Sequence, residues 1–229
     1  MPTRIRMVPA HEVVRRTFPR PPPEEKDLVA IAVGRAVDST LAEYGHAYRL
    51  GRRPTVTAMR AHARGVLDEA LAEAAVDLPS EERDRRVGQV AAVLNAYRKS
   101  PILGLSRPKS HVMVIDGVVG VYAQPDFWDG HARFFEMKSY RAVPPPPDVA
   151  LQIRLFQLAF PKFEAVLVCF NRHVDPVETV VATIPPPTVE EGRDALERAY
   201  AIGQEFGVEK VLEYVEGPRV HYTRTPGPG

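Results

Sequence analysis

Length, composition and charge describe a chain of 229 residues that is 45% hydrophobic and has a formal net charge of +1. Such a chain can bury one sizeable core, but it has no apolar run long enough to span a bilayer and no apolar signal segment at its N-terminus, so we expect a cytoplasmic protein. Its single cysteine, Cys169, excludes a disulfide framework and an iron–sulfur cluster held by four cysteines.

The first half of the chain is predicted to be mainly helical. A basic, irregular N-terminus ends at the stretch 20–27, whose three consecutive prolines cannot continue a helix. The helical spacing of apolar residues then predicts three helices, at about 27–50, 55–76 and 80–99. Ser80 is the expected N-cap of the third helix. The segment 100–109 is predicted to be a linker.

Basic residues are concentrated in this half. Residues 1–109 hold 19 Lys and Arg against 13 Asp and Glu, whereas residues 110–229 hold 11 against 16. Lys and Arg supply the salt-dependent part of the affinity for nucleic acid, so arginines here are candidates for contacts with DNA phosphates. The alternative is an ordinary solvated helix surface. The candidates are Arg49, Arg52, Arg53, Arg60 and Arg64.

The second half is predicted to contain a sheet. Runs rich in β-branched and aromatic residues predict a meander of three strands, at 111–115, 118–123 and 132–140. The dipeptide Asp129-Gly130 is the expected hairpin turn before the last of them. A helix opening near Asp148 follows, and then two strands and a helix, at 164–170, 179–184 and 189–206. The prediction is one α/β domain with a mainly helical part at 27–107 and a sheet-containing core at 110–206.

Three charged residues around the last strand of the meander form a candidate site. Side chains alternate along a strand, so Glu136 and Lys138 share one face while Met137 points to the other. Pro125 has no N–H for the ladder, so pairing should falter there and leave Asp126 free to turn toward Glu136. Such carboxylates suit a hard cation such as Mg²⁺, and a nearby lysine can steady the attacking water or the developing phosphorane charge.

The order of these residues resembles the PD-(D/E)xK nuclease superfamily. Pro125, Asp126, Glu136 and Lys138 reproduce its signature, and the resemblance covers residues 31 to about 170. It implies a restriction-endonuclease-like core, in which a central mixed sheet is flanked by helices, and the metal-dependent hydrolysis of DNA.

Two further matches resemble the RecB-like branch, which includes CRISPR-associated exonucleases. Gln152 and Phe156 resemble its Gln-x-x-x-Tyr motif, although Phe156 lacks the hydroxyl. Gly34 and Asp38 resemble a helix in which a His four residues after the Gly binds metal, with Asp in the His position. Because Asp is also a metal ligand, that exchange is chemically sensible.

The resemblance implies a role for each residue of the site. Lys138 would orient the attacking water, and Gln152 would help to position Lys138 or the substrate strand. Mg²⁺ or Mn²⁺ would be held by Asp38, Asp126, Glu136 and the main-chain carbonyl of Met137. The implied partners are single-stranded DNA or duplex ends and the proteins of a DNA repair, recombination or CRISPR complex; a homo-oligomer is also compatible with it.

Each feature also has a plainer interpretation. Glu-x-Lys on a strand is usually a solvated face, and Asp38 and Gln152 could be ordinary polar helix positions. The competing hypothesis is a non-catalytic nucleic-acid-binding or scaffolding protein that keeps the nuclease fold. The joint order of the acidic residues, the lysine and the two flanking helices favours the nuclease.

Overall fold

The computed structural model describes residues 3–140 and 142–224 as an α/β chain. The helices are α1 (Ala10–Thr17), α2 (Glu25–Arg49), α3 (Val56–Glu73), α4 (Ser80–Tyr97), α5 (Pro147–Ala159) and α6 (Val189–Phe206). The strands are β1 (Arg4–Pro9), β2 (His111–Ile115), β3 (Val119–Ala123), β4 (Phe127–Trp128), β5 (Arg133–Lys138), β6 (Glu164–Asn171), β7 (Glu178–Ile184), β8 (Val208–Val211) and β9 (Arg219–Tyr222). The predicted class, mixed sheets flanked by helices with a helical region toward the N-terminus, is confirmed.

Helices α2, α3 and α4 pack against one another and form the predicted helical part. Apolar side chains that recur at helical spacing along the three helices, such as Val33, Leu67 and Leu94, meet in one buried cluster. The predicted start of α4 is wrong by one position, because Pro79 occupies the N-cap and Ser80 is the first helical residue. This bundle fixes the position of α2, which carries Asp38.

The strands form two mixed sheets, in the orders β8-β1-β3-β2-β9 and β4-β5-β6-β7. The predicted three-stranded meander is therefore wrong, because β3 lies between β1 and β2, whereas β5 lies between β4 and β6. The chain passes from one sheet to the other at residues 124–126, where Pro125 has no N–H to extend the ladder. The predicted turn at Asp129-Gly130 joins β4 to β5.

The N-terminal segment forms β1 and α1 instead of the predicted irregular structure. β1 pairs in parallel with β3 and antiparallel with β8, and it buries Ile5 and Met7. Both partner strands lie far along the chain. A strand stabilised by distant neighbours has only a weak local signal, which explains why the sequence pattern missed it.

The sheet that contains β5 separates two buried clusters. Phe135 and Met137 point into the cluster formed with α2, α3 and α4, whereas Phe134 points into the cluster formed with α5 and α6. Cys169, on β6, is fully buried on the α5 side. Residues on opposite faces of β5 therefore meet different helices, with Asp38 on one side and Gln152 on the other.

Residues 3–140 and 142–224 contain no helix with the length and apolar character needed to cross a membrane.

Candidate functional site

Glu136 and Lys138 lie side by side at the end of β5, as the alternation of side chains predicts. Lys138 Nζ donates a hydrogen bond of 2.6 Å to Glu136 Oε1 and one of 3.2 Å to Gln152 Oε1. Gln152 reaches the lysine because α5 is the crossover helix that connects the parallel strands β5 and β6, and it packs on this face of the sheet. Glu136 is only 3% exposed, so this ion pair is screened little by solvent.

Asp126 lies beside β5 at the position where a neighbouring strand would otherwise continue. Its Oδ2 accepts a hydrogen bond of 2.9 Å from the Met137 N–H, just before β4 begins at Phe127. A side-chain carboxylate thus replaces a backbone carbonyl in the ladder. Its other oxygen, Oδ1, lies 3.8 Å from Arg107 Nη2. Asp126 is therefore attached to the same strand as Glu136 and Lys138.

Asp38 approaches this group from α2, on the face of β5 opposite Gln152. It lines a cavity of about 220 Å³ together with Asp126 and Met137. Asp38 and Met137 also border a larger cleft, of about 610 Å³, which includes Lys138. Asp38, Asp126, Met137 and Lys138 therefore line one or both of two adjoining cavities, whereas Glu136 and Gln152 lie behind Lys138 and line neither.

The donors available to a metal ion here are oxygen atoms. Asp38 and Asp126 face the smaller cavity, and the Met137 carbonyl points to the Asp126 edge of β5, since the N–H and C=O of one strand residue share an edge. In the described part of the chain, no three His, Cys, Asp or Glu side chains are grouped as a metal site. Mg²⁺ keeps several waters and needs only one or two protein carboxylates, so this oxygen set fits it.

The carboxylates of the site are held in an environment that disfavours their charge. Asp38 remains accessible to solvent, but the protein atoms packed around its cavity partly desolvate the carboxylate and raise its pKa; the nearby Asp126 carboxylate adds to this effect, and Lys138 and Arg172 oppose it. Burial and the Asp126 carboxylate also raise the pKa of Glu136, and the charge of Lys138 opposes this shift. Mutual repulsion of this kind is relieved by a bound cation.

Lys138 stays protonated in spite of its burial. Desolvation lowers the pKa of Lys138, but the charges of Glu136 and Asp126 and the bond to Glu136 outweigh it, so the net pKa is raised. The lysine is thus an ammonium donor held between Glu136 and Gln152. Phe156, one turn beyond Gln152, packs edge-on against Phe134 and is buried, which leaves Gln152 as the polar contact from this helix face.

The five arginines predicted to contact DNA are in different surroundings. Arg49 lines the smaller cavity beside Asp126, and its Nη1 donates to Leu105 O at 2.9 Å. Arg52 and Arg53 follow α2 and are exposed, with the Arg53 guanidinium 4.0 Å from the Tyr48 ring centroid. Arg60 and Arg64 lie on α3. Of this pair, Arg60 is exposed and Arg64 forms an ion pair with Asp84.

Sequence reasoning missed two arginines that border the site. Arg107 lies opposite Asp126 Oδ1 and lines the smaller cavity, and Arg172 lines the larger cleft. Arg107 belongs to the segment that was predicted to be a linker, and Arg172 directly follows β6. Neither position has a periodic pattern around it, so only the tertiary structure could reveal them.

Comparisons with known proteins do not identify the chemistry of this site. No family model matches the chain, and no curated protein sequence matches it either. Among solved structures, a "putative exonuclease" from Eubacterium rectale is similar with a TM-score of 0.45 and 7% identity, over 79% of this chain and 72% of that one. The protein SSO0001 is similar with a TM-score of 0.37 and 13% identity, over 87% and 84%.

Proposed function

We propose that this protein is a metal-dependent nuclease that hydrolyses DNA phosphodiester bonds, in DNA repair, recombination or CRISPR-related processing. The observation that carries the proposal is the meeting of Asp126, Glu136 and Lys138 at the end of β5, beside a cleft. Burying the charges of Lys138 and Glu136 has a desolvation cost that apolar side chains of similar size would avoid, so a purely structural role explains the pair poorly. Perturbed pKa values grouped in a cleft are typical of functional sites.

The metal that suits these residues is Mg²⁺ or Mn²⁺. Asp38, Asp126 and the Met137 carbonyl offer hard oxygen ligands around the smaller cavity, and Glu136 adds a further carboxylate next to Asp126. When bound, such an ion supplies Lewis-acid stabilisation of the phosphoryl oxygens and makes a water more acidic. An iron–sulfur cluster is not proposed, because Cys169 is the single cysteine of the chain.

The chain's own residues have separate tasks in this proposal. Lys138 orients the attacking water and donates to the charge that develops on the phosphate. Glu136 keeps Lys138 protonated and directed toward the cleft through their 2.6 Å contact, and Gln152 restrains the lysine from the other side. Asp126 is held through Oδ2 by the Met137 N–H, and its Oδ1, 3.8 Å from Arg107 Nη2, is the oxygen that would act as a ligand.

A basic border beside the carboxylates supports DNA as the substrate. Arg49 and Arg107 line the same cavity as Asp38 and Asp126. Guanidinium groups bind phosphate oxygens with paired hydrogen bonds, and they offset the repulsion between a phosphate and the acidic site. In this arrangement the DNA backbone passes Arg49 and Arg107 before it reaches Lys138.

The test is cleavage of labelled DNA with Mg²⁺, with Mn²⁺ and with excess chelator. We expect cleavage only with metal, and a loss of nearly all activity in Glu136→Gln, which keeps the shape of the side chain. Glu164→Gln is the matched control, because Glu164 is the exposed first residue of the neighbouring strand. DNA that is bound but not cut with either metal would instead favour the non-catalytic binding protein.

A further inference from the structure

The larger cleft beside the site extends away from Arg49 and Arg107. It has a volume of about 610 Å³ and shares only Asp38 and Met137 with the smaller cavity. Its walls include the apolar side chain of Ile31, which is 54% exposed although it is large and hydrophobic. A cleft that joins apolar surface to a charged site is suited to a ligand with both kinds of group.

Arg172 is one of three basic residues that line this cleft, together with Arg20 and Lys138. Its Nη1 donates 2.6 Å to Ser139 Oγ and its Nη2 donates 3.2 Å to Ala30 O, so the guanidinium is fixed between β5 and α2. Both acceptors are neutral, and no carboxylate in residues 3–140 or 142–224 forms an ion pair with it. Arg20, in the same cleft, differs because it is paired with Asp148 at 2.5 Å.

The surroundings of Arg172 leave its positive charge poorly compensated. Burial lowers its pKa and the nearby charge of Arg86 adds to this effect, while Asp38 opposes it. A guanidinium nevertheless stays protonated in proteins and has five N–H donors in a rigid fork. Two donors are used for anchoring, and a half-buried cation without a counter-charge is costly unless a ligand supplies one.

We propose that Arg172 binds a phosphate group of the substrate strand in this cleft, next to the phosphate that is cleaved. The inference rests on the proposed nuclease function and assigns the larger cleft to the strand beyond the scissile bond. Ile31 then offers apolar contact to the sugar or base attached to that phosphate. Gly34 also borders this cleft, and a Cβ added there would lie 3.9 Å from Arg172 Nη1, an ordinary contact distance.

The bound phosphate could be an internal diester or a terminal monophosphate, and substrate choice separates the two. Cleavage is measured on linear single strands with a 5′-phosphate, a 3′-phosphate or hydroxyl ends, and on circular single-stranded DNA. We expect Arg172→Gln to raise KM about tenfold or more with a smaller change in kcat, as for loss of a charged hydrogen bond. An equal rise on all substrates, the circle included, identifies an internal diester; a rise confined to one phosphorylated end identifies a terminal phosphate.

Two further variants distinguish the loss of a phosphate contact from a general loss of stability. Arg172→Lys retains the charge without the fork, and we expect a KM between those of wild type and Arg172→Gln. Arg35→Gln is the control, because Arg35 pairs with Glu73 on the outer surface of the helices. Melting temperatures show whether each variant is folded, and an unfolded Arg172→Gln is replaced by Arg172→Lys in the comparison.

Equilibrium binding separates failure of this inference from failure of the proposed function. Binding of a fluorescent single strand is measured in chelator over a range of salt concentrations. We expect the slope of log affinity against log salt to fall by about 0.7 in Arg172→Gln, the value for one lost phosphate contact. Unchanged slope and KM would overturn the role of Arg172, even if the wild type cuts DNA. Absence of cleavage by the wild type would overturn the nuclease proposal alone, and the binding slope would still decide on Arg172.

Discussion

Asp126 Oδ2 accepts the Met137 N–H at 2.9 Å, so an acidic side chain takes the place of a strand neighbour for one residue of β5. Asp126 directly follows Pro125, which has no N–H to donate and lies where the chain leaves β3 in one sheet and enters β4 in the other. The contact with the Met137 N–H holds Asp126 beside Glu136, whose pKa is raised by burial and, in addition, by the repulsion between the two carboxylates. The fold thus holds two carboxylates close together against their mutual repulsion.

Substitutions at Asp126 should separate stability from activity. Asp126→Asn keeps an oxygen that can accept from Met137, so its stability should stay within about 1 kcal/mol of wild type while cleavage is lost. Asp126→Ala leaves that N–H without its partner and should cost about 1–3 kcal/mol in addition. Urea unfolding and a cleavage assay on both variants make the comparison. Equal stability of the two variants would show that the 2.9 Å contact contributes nothing.

The type of ligand atom at position 38 should control which metal the protein prefers. Carboxylate oxygens suit Mg²⁺ and Mn²⁺ alike, whereas imidazole favours the transition metal. We therefore expect Mg²⁺ to serve the wild type nearly as well as Mn²⁺, Asp38→His to shift activity toward Mn²⁺, and Asp38→Ala to weaken metal binding. The metal-induced rise in melting temperature provides a readout without DNA. The same metal ratio and affinity in all three proteins would make Asp38 an ordinary helix residue.

The parts of this molecule that depend on local pattern could be predicted from the sequence. The helix Val189–Phe206 and the strand His111–Ile115 begin and end at the predicted residues, because apolar periodicity and turn residues define them locally. The contact of Lys138 with Glu136 follows from the two-residue alternation of side chains along a strand. Gln152 contacts the same lysine from α5, the predicted helix that follows this strand.

The parts of the molecule that depend on pairing between distant segments could not be predicted from the sequence. β1 is a strand because β3 and β8 lie on either side of it, and the division into two sheets follows from tertiary packing around Pro125. Arg107 and Arg172 lie in loops, where their neighbours in space are far away in the chain. The basic residues nearest the site were therefore only partly recognised, with Arg49 predicted and these two missed.

The arginines near the smaller cavity should contribute to DNA binding, and the paired arginine on α3 should not. Arg49 and Arg107 line the cavity beside Asp126, whereas Arg64 is already neutralised by Asp84. For single-stranded DNA we expect Arg49→Gln and Arg107→Gln each to lower the salt slope of binding by about 0.7, and Arg64→Gln to leave it unchanged. Fluorescence anisotropy in chelator at several salt concentrations measures the slopes. Equal effects of all three variants would indicate a diffuse basic surface.

Asp129 should stabilise the turn before β5 in a manner that depends on pH. Its Oδ1 accepts from the N–H groups of His131, Ala132 and Arg133, its Oδ2 accepts from the Arg133 side chain, and it is 16% exposed. Burial alone would raise the pKa of Asp129, but these hydrogen bonds lower it well below its usual range. A carboxyl whose pKa is lower in the folded state stabilises the fold above its unfolded pKa of about 3.9, and this contribution is lost as the pH falls through the folded value.

Asp129→Asn measures that contribution, because it keeps an acceptor for the backbone and removes only the charge. We expect a loss of about 1–2 kcal/mol at pH 7, the difference between charged and neutral hydrogen bonds, and a progressively smaller loss below about pH 4. Asp77→Asn is the matched control, since the Asp77 side chain is fully exposed and its loss should cost little at either pH. Urea unfolding at pH 7 and pH 3 gives both differences, and a loss at Asp129 that is the same at the two values would mean that its charge contributes nothing to the turn that aligns β5.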